Sequence, residues 1–171
     1  MNDDQAEICW DKLYAEVNAW RGECMHHIAV AERAITETLL VLDGAKPDGT
    51  KFPLRHLIGH RFEDISAATG PDGPFAEEGK AAHKAIENYR RHEAFRTLLC
   101  HGVAQVTVTR GGAWLLIIRS LSIRPRQAEE TTAIFEKSVA EEKLVQLKSD
   151  GQKLASNLGQ LRKKLQVKAP V

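Results

Sequence analysis

Apolar side chains recur at steps of three and four along the first quarter of the chain. From Leu13 they continue through Val17, Trp20, Cys24, Ile28, Ala31, Ile35, Leu39 and Leu42. This spacing places them on one side of an α-helix, so it predicts a long amphipathic helix over residues 4–42. Gly44 and Pro47 then end the helix, because glycine suits a helix cap and proline cannot continue the helical hydrogen bonds.

Two further helices are predicted between strong breaks. Pro53 is expected to open a helix over residues 53–69, which ends before the glycine- and proline-rich segment 70–74. A third helix is predicted over residues 75–101, and its expected buried positions are Ala82, Ile86, Tyr89, Phe95 and Leu99.

Alternating apolar and polar residues then predict a β-hairpin over residues 103–123. With Gly111 and Gly112 as a two-residue turn, Val108 is expected opposite Leu115 and Val106 opposite Ile117. The second strand is apolar on both faces. We therefore expect three of its side chains either beneath another element or in a contact between subunits, namely Trp114, Leu116 and Ile118.

A last helix is predicted over residues 125–166, because one side of it repeats apolar or small residues at steps of three and four: Leu144, Leu147, Gly151, Leu154, Leu158, Leu161 and Leu165. This seam can pack on the first helix or on a partner chain. Together the elements predict a mainly α fold, a four-helix up-down bundle with a β-hairpin inserted between the third and fourth helices. With 171 residues, the chain is expected to form a single domain over 1–171.

Composition points to a cytoplasmic protein that does not enter a membrane. No apolar run approaches the roughly eighteen residues of a membrane span, and the first residues are acidic and polar. The three cysteines lack metal-site or redox spacing, which fits a reduced setting. The net charge is +1, yet residues 1–42 are rich in acids and residues 143–168 in bases. These ends either pair with each other, or the basic helix also meets an anionic partner.

Arg96 and His101 are the leading candidates for chemistry, because they stand where the third helix gives way to the hairpin. Arginine binds phosphate through a permanent planar charge, and histidine exchanges protons near neutral pH. The same Arg-x4-His spacing recurs at Arg21 and at Arg55, so only the context distinguishes this pair. A structural alternative is that both side chains bind the last carbonyls of the helix.

Four helices, an inserted hairpin and the sequence Arg96-x4-His101-Gly102 resemble the HEPN (higher eukaryotes and prokaryotes nucleotide-binding) superfamily over most of the chain. Thr97 departs from that pattern, since members commonly carry Asn, Asp or His after the arginine. The resemblance implies a homodimer whose two Arg/His pairs line one cleft and cleave RNA without a metal or cofactor. It also implies a toxin-antitoxin, abortive-infection or RNA-processing system, with an antitoxin or other protein as partner.

On this interpretation, the resemblance implies that His101 assists proton transfer at the ribose 2′-hydroxyl and at the leaving oxygen, while Arg96 holds the scissile phosphate. Arg91 and His92 add phosphate contacts, and Thr97 donates a hydrogen bond.

Two other interpretations compete with RNA cleavage, and the first is a metal site. His56, His60 and Glu63 share one helix face and can bind a transition metal if His26, His27 or Cys24 completes the site. The second is a non-catalytic helical protein that dimerises or binds a protein partner. No nucleophile elbow, phosphate-binding glycine loop or dinucleotide fingerprint is present in the sequence, so serine hydrolases, kinases and Rossmann oxidoreductases have no support.

Overall fold

The computed structural model describes residues 8–47, 54–124 and 127–168. These residues form, in chain order, α1 Trp10–Ala45, α2 Ile58–Thr69, α3 Ala76–Arg90, α4 Glu93–His101, β1 Val103–Val108, β2 Trp114–Arg124, β3 Gln127–Glu136 and α5 Lys137–Lys168. The strands make one antiparallel sheet in the order β1-β2-β3. The prediction of a mainly α fold is therefore confirmed, while the elements themselves differ from four helices and a hairpin. Pro53 lies outside the described residues.

The chain divides into two compact units. The first combines residues 1–25 with 96–145 and contains the sheet. The second combines residues 26–95 with 146–171 and is helical.

The apolar periodicity of α1 is confirmed, since every predicted position from Val17 to Leu42 is buried. The leucine seam of α5 is also buried within the chain from Leu147 to Leu165. In the second unit, α5 contacts α1 through Arg162, whose Nη1 donates to the carbonyl of Ala34 at 3.1 Å and to Thr38 Oγ1 at 2.8 Å. The seam therefore packs on the first helix of the same chain.

The single third helix predicted over residues 75–101 is wrong, because the chain turns between α3 and α4. The N–H of His92 donates to the carbonyl of Tyr89 at 2.9 Å, which closes a tight turn after Arg90. His92 is only 1% exposed and bonds a carboxylate in α5. No proline or glycine marks this break. The break coincides with the buried contact between His92 and Asp150, which are distant in the sequence. The local apolar periodicity therefore does not predict it.

The predicted start of the last helix at residue 125 is also wrong, because residues 127–136 form a third strand. β3 pairs antiparallel with β2 from Leu115 opposite Glu136 to Arg124 opposite Gln127. Gln, Ala and Glu near the start of this segment favour helix, whereas Thr131, Thr132 and Ile134 favour strand. Pairing with β2 decides the outcome, so tertiary context overrides a mixed local preference.

The predicted hairpin register is wrong by one residue. Val108 lies opposite Trp114, and Val106 opposite Leu116. The turn spans the five residues 109–113 instead of two, and within it Gly112 adopts a φ of +79°. A one-residue slip exchanges the two faces of a strand.

The observed register puts one row of apolar side chains on the inner face of the sheet: Val106, Trp114, Leu116 and Ile118, all buried. Trp114 packs beside Trp20 of α1, with ring centroids 6.0 Å apart, within the first unit. Trp114, Leu116 and Ile118 therefore lie beneath another element of their own chain, and the alternative of a subunit contact through them is wrong.

Candidate functional site

The candidate site lies on α4 in the first unit. Phe95 and Leu99 bury one side of this helix, whereas Thr97 and His101 are exposed and Arg96 is half-buried. Five helical positions correspond to about 500° of rotation, so Arg96 and His101 are separated by about 140° around the axis. They border the exposed side of α4 from opposite edges, with Thr97 between them.

Gly102 fixes the end of α4 against the sheet. Its N–H donates to the carbonyl of Leu98 at 2.8 Å. A Cβ on this residue would lie 2.2 Å from Cγ2 of Ile118 and 2.5 Å from the Leu98 carbonyl oxygen, which is closer than real atoms approach. A side chain therefore does not fit here. The glycine that follows the histidine has a packing role, since it lets β2 approach the residue beside His101.

Arg21 of α1 reaches the same end of α4. Its Nη2 donates to the carbonyl of Leu99 at 3.3 Å, and one helical turn further Met25 Sδ lies 3.9 Å from Cys100 Sγ. Sequence reasoning discounted Arg21 because its own Arg-x4-His spacing lies inside a helix. Its position next to the buried Trp20 was the available signal, since it places the guanidinium at the edge of the packed side of α1.

Two of the last carbonyls of α4 thus have named donors, namely Arg21 for Leu99 and the Gly102 N–H for Leu98. Both donors lie outside α4. His101 itself is exposed in the last turn of the helix.

Arg91 and His92 belong to the second unit, where they bind a buried carboxylate. Asp150 Oδ2 lies 2.8 Å from His92 Nε2 and 3.1 Å from Arg91 Nε, and it also accepts a hydrogen bond from Arg91 Nη2. Asn88 Nδ2 donates to the other oxygen at 3.2 Å. The structure therefore places His92 in the interior, while the side chain of Arg91 stays half-exposed.

The environment of Asp150 has opposing effects on its pKa. Burial is the largest single influence and raises the pKa, because it disfavours the charged form. Hydrogen bonds from His92 and Arg91, together with their positive charges, outweigh burial and lower the pKa below the ordinary value of 3.8. The carboxylate is therefore ionised and held between three donors. The sequence analysis did not predict this cluster. The available signal was a charged residue, Asp150, directly before Gly151 of the apolar repeat.

The histidines of the alternative metal site do not assemble a ligand set. Glu63 pairs with Nη2 of Arg55 at 3.0 Å, and His56 is exposed. Burial raises the pKa of the Cys24 thiol to about 12, so this residue stays protonated and is a poor ligand. Within the part of the chain that the structure describes, no three His, Cys, Asp or Glu side chains are grouped to hold a metal ion.

Comparison of the chain with protein-family models, with curated proteins and with solved structures finds no match. Among the described helices, none combines the length and apolar character needed to cross a membrane.

Proposed function

We propose that this chain is a metal-independent endoribonuclease or RNA-binding protein of HEPN type that acts as a homodimer in the cytoplasm. One observation carries the proposal: His101 is exposed at the end of α4, on the side that Arg96 borders from the opposite edge. A proton-exchanging group and a permanent cation on one exposed surface suit phosphodiester chemistry. The up-down arrangement of helices that the sequence pattern predicts remains part of this proposal.

In the proposed mechanism, the scissile phosphate lies over Thr97, between Arg96 and His101. His101 removes the proton of the ribose 2′-hydroxyl, and the 2′-oxygen forms a bond to phosphorus as the bond to the 5′-oxygen breaks. A protonated histidine, which we assign to His101 of the partner subunit, supplies the proton of the leaving oxygen. The products are a 2′,3′-cyclic phosphate and a 5′-hydroxyl, so the reaction needs no metal.

Arg96 has the electrostatic role in this mechanism. Its guanidinium binds the non-bridging oxygens and stabilises the charge that they gain in the transition state. Thr97 donates a hydrogen bond from its hydroxyl, and Arg21 adds positive charge beside the end of α4. Arg91 and His92 are left out of the site, because both bind Asp150 in the other unit.

A second candidate function is a non-catalytic protein that binds a protein partner, such as an antitoxin. The exposed apolar side chains of the sheet favour it, since Val103 is 77%, Leu121 is 70% and Ile123 is 88% exposed.

Cleavage of a mixed pool of tRNA and structured RNA in EDTA separates the two functions. Wild type is compared with His101→Ala and Arg96→Ala, and the matched control is His26→Ala, an exposed histidine in an equivalent Arg-x4-His spacing. We expect wild type and His26→Ala to leave 2′,3′-cyclic phosphate ends and the two α4 variants to be inactive. Equal activity in all four proteins would exclude the mechanism, and RNA left intact by all of them would favour the partner-binding function.

A further inference from the structure

A cavity of about 400 Å³ lies in the first unit, where the start of α1, the start of α5 and the turn from β1 to β2 come together. Its polar walls include Lys12, Glu16 and Lys137. The volume falls within the range of small-molecule sites in proteins. Neither Arg96 nor His101 lines the cavity, so it is a different place from the candidate site on α4.

Contacts between α1, α5 and the sheet hold the walls of this cavity in position. Trp20 Nε1 donates to the carbonyl of Ala140, in the first turn of α5, at 2.7 Å. Lys137 Nζ donates to Glu16 Oε2 at 2.8 Å, and the ring of Trp114 packs beside that of Trp20. The cavity is therefore bounded by packed elements.

The charge of the lining is positive. Lys12 and Lys137 lie in the first turns of α1 and α5, where the helix dipole disfavours cations. Glu16 also lines the cavity, whereas the nearby acids Asp11 and Glu141 do not. Two lysines and one carboxylate sum to +1. The two helix N-termini add about half a positive charge each, which brings the total to about two positive charges.

Trp114 contributes a buried donor to the same space. Its side chain lines the cavity and is 2% exposed, and its Nε1 has no hydrogen-bond acceptor among the described residues. The pKa of Glu16 is lowered mainly by the hydrogen bond from Lys137, against the effect of burial, and the N–H of Trp114 contributes. This N–H is therefore directed towards the wall that Glu16 forms. Because a buried donor without an acceptor costs free energy, it favours an acceptor in the cavity.

The remaining walls combine bare backbone with apolar side chains. Gly112, in the turn, has a φ of +79°, and a Cβ on it would meet nothing within 4 Å. Glycine lets a ligand approach the backbone closely. Ile8 and Leu13 add apolar surface at the start of α1.

We propose that this cavity binds a small phosphate monoester. Such a group carries about 1.5 to 2 negative charges at neutral pH and has several acceptor oxygens. It therefore matches the two lysines, the indole N–H and the charge of the lining more closely than a carboxylate, which carries a single charge. The organic substituent lies against Ile8 and Leu13. This inference does not depend on RNA cleavage at α4.

Nitrogen–proton NMR spectra of the full chain test the site through its indole N–H signals, and Trp114→Phe assigns the signal of Trp114. The protein is titrated with phenyl phosphate, inorganic phosphate and benzoate at constant ionic strength. We expect phenyl phosphate to shift the Trp114 signal saturably and to leave that of Trp20, which is bonded to Ala140, in place. Inorganic phosphate should bind more weakly because it lacks an apolar group. Benzoate should bind about tenfold more weakly than phenyl phosphate, because it carries less charge.

Three substitutions test the charges of the lining. Lys12→Gln should weaken binding of phenyl phosphate about tenfold. Glu16→Gln should strengthen it, because the acid that competes for the lysines is gone; a merely structural role of Glu16 does not predict a gain. Lys148→Gln is the matched control, since Lys148 is an exposed lysine of α5 in the other unit, and its affinity should equal that of wild type. Circular dichroism should show that all variants are folded.

Four results would overturn the inference. The Trp114 signal could fail to shift saturably with phenyl phosphate up to about 10 mM, which is weaker than a specific site. Lys12→Gln could bind phenyl phosphate as well as wild type, or benzoate could bind as tightly as phenyl phosphate. Alternatively, a 5′-phosphorylated RNA oligomer could shift the Trp114 signal where phenyl phosphate does not, which would assign the cavity to RNA. Loss of the RNA-cleavage proposal alone would change none of these measurements.

Discussion

His92 and His101 are nine positions apart and experience opposite environments. His92 is 1% exposed and bonds the carboxylate of Asp150, whereas His101 is exposed at the end of a helix. An arginine accompanies each of them, as Arg91 in the first case and Arg96 in the second. The comparison shows that residue type does not decide the role. His92 is part of the folded interior through its bond to Asp150, whereas His101 is exposed in the last turn of α4.

The largest effect is expected on the rate of RNA cleavage, and it concerns His101. His101→Ala should lower RNA cleavage by about 10²–10⁴-fold, which is the usual contribution of general acid-base catalysis, and leave the melting temperature unchanged. His92→Ala should lower the melting temperature, because Asp150 loses a buried donor. Cleavage rates and thermal unfolding of both variants provide the test. Full cleavage activity in His101→Ala would contradict the catalytic role proposed for His101.

Removing the carboxylate should produce the largest effect on stability. Asp150→Ala leaves His92 and Arg91 without their shared acceptor, and breaking a buried ion pair in this way costs about 3–5 kcal/mol. Glu142→Ala is the control, because Glu142 is an exposed acid on the same helix and its loss should change the free energy of unfolding by less than about 0.5 kcal/mol. Urea unfolding measures both. Similar values for the two variants would show that the buried network contributes little.

A smaller effect is expected where α4 meets the sheet. Gly102→Ala introduces a methyl group against Ile118 and should cost about 1–3 kcal/mol by overpacking. Gly22→Ala is the contrasting variant, since nothing lies within 4 Å of a Cβ at that exposed helical position. It should stabilise α1 by about 0.5–1 kcal/mol, because alanine favours helix over glycine. Equal effects of the two changes would contradict the close approach at residue 102.

The smallest effect is expected in how the free energy of unfolding depends on acidic pH. The pKa of Asp150 in the folded chain is below its ordinary value of 3.8, so the unfolded chain binds a proton there first as the pH falls. The stabilisation by this group is therefore complete above about pH 3.8 and is lost as the pH falls through the folded-state pKa. The difference in unfolding free energy between wild type and Asp150→Asn, measured by urea titration at a series of acidic pH values, should therefore shrink as the pH falls below about 3.8. A difference that grows on acidification would contradict the direction of the shift.

Sequence patterns predicted the buried sides of α1 and α5, because a long apolar repeat has only one helical solution. They did not predict the break at His92 or the strand at residues 127–136. Both depend on partners distant in the chain, Asp150 for the break and β2 for the strand. At the candidate site, the change from helix to hairpin was the context that made Arg96 and His101 the candidates. For Arg21, the apolar pattern indicates only a position beside the packed side of α1. Its hydrogen bond to Leu99 requires α1 and α4 to be adjacent, which no local pattern predicts.

The shortness of α4 has a consequence for the order of synthesis. A helix of nine residues is too short to be stable in water without tertiary contacts. One of its contacts, Ile118 beside Gly102, lies later in the chain than the helix itself. On the ribosome, we therefore expect His101 to stay without a fixed position until β2 has emerged. A chain interrupted before that point would carry the arginine and the histidine without the surface that presents them.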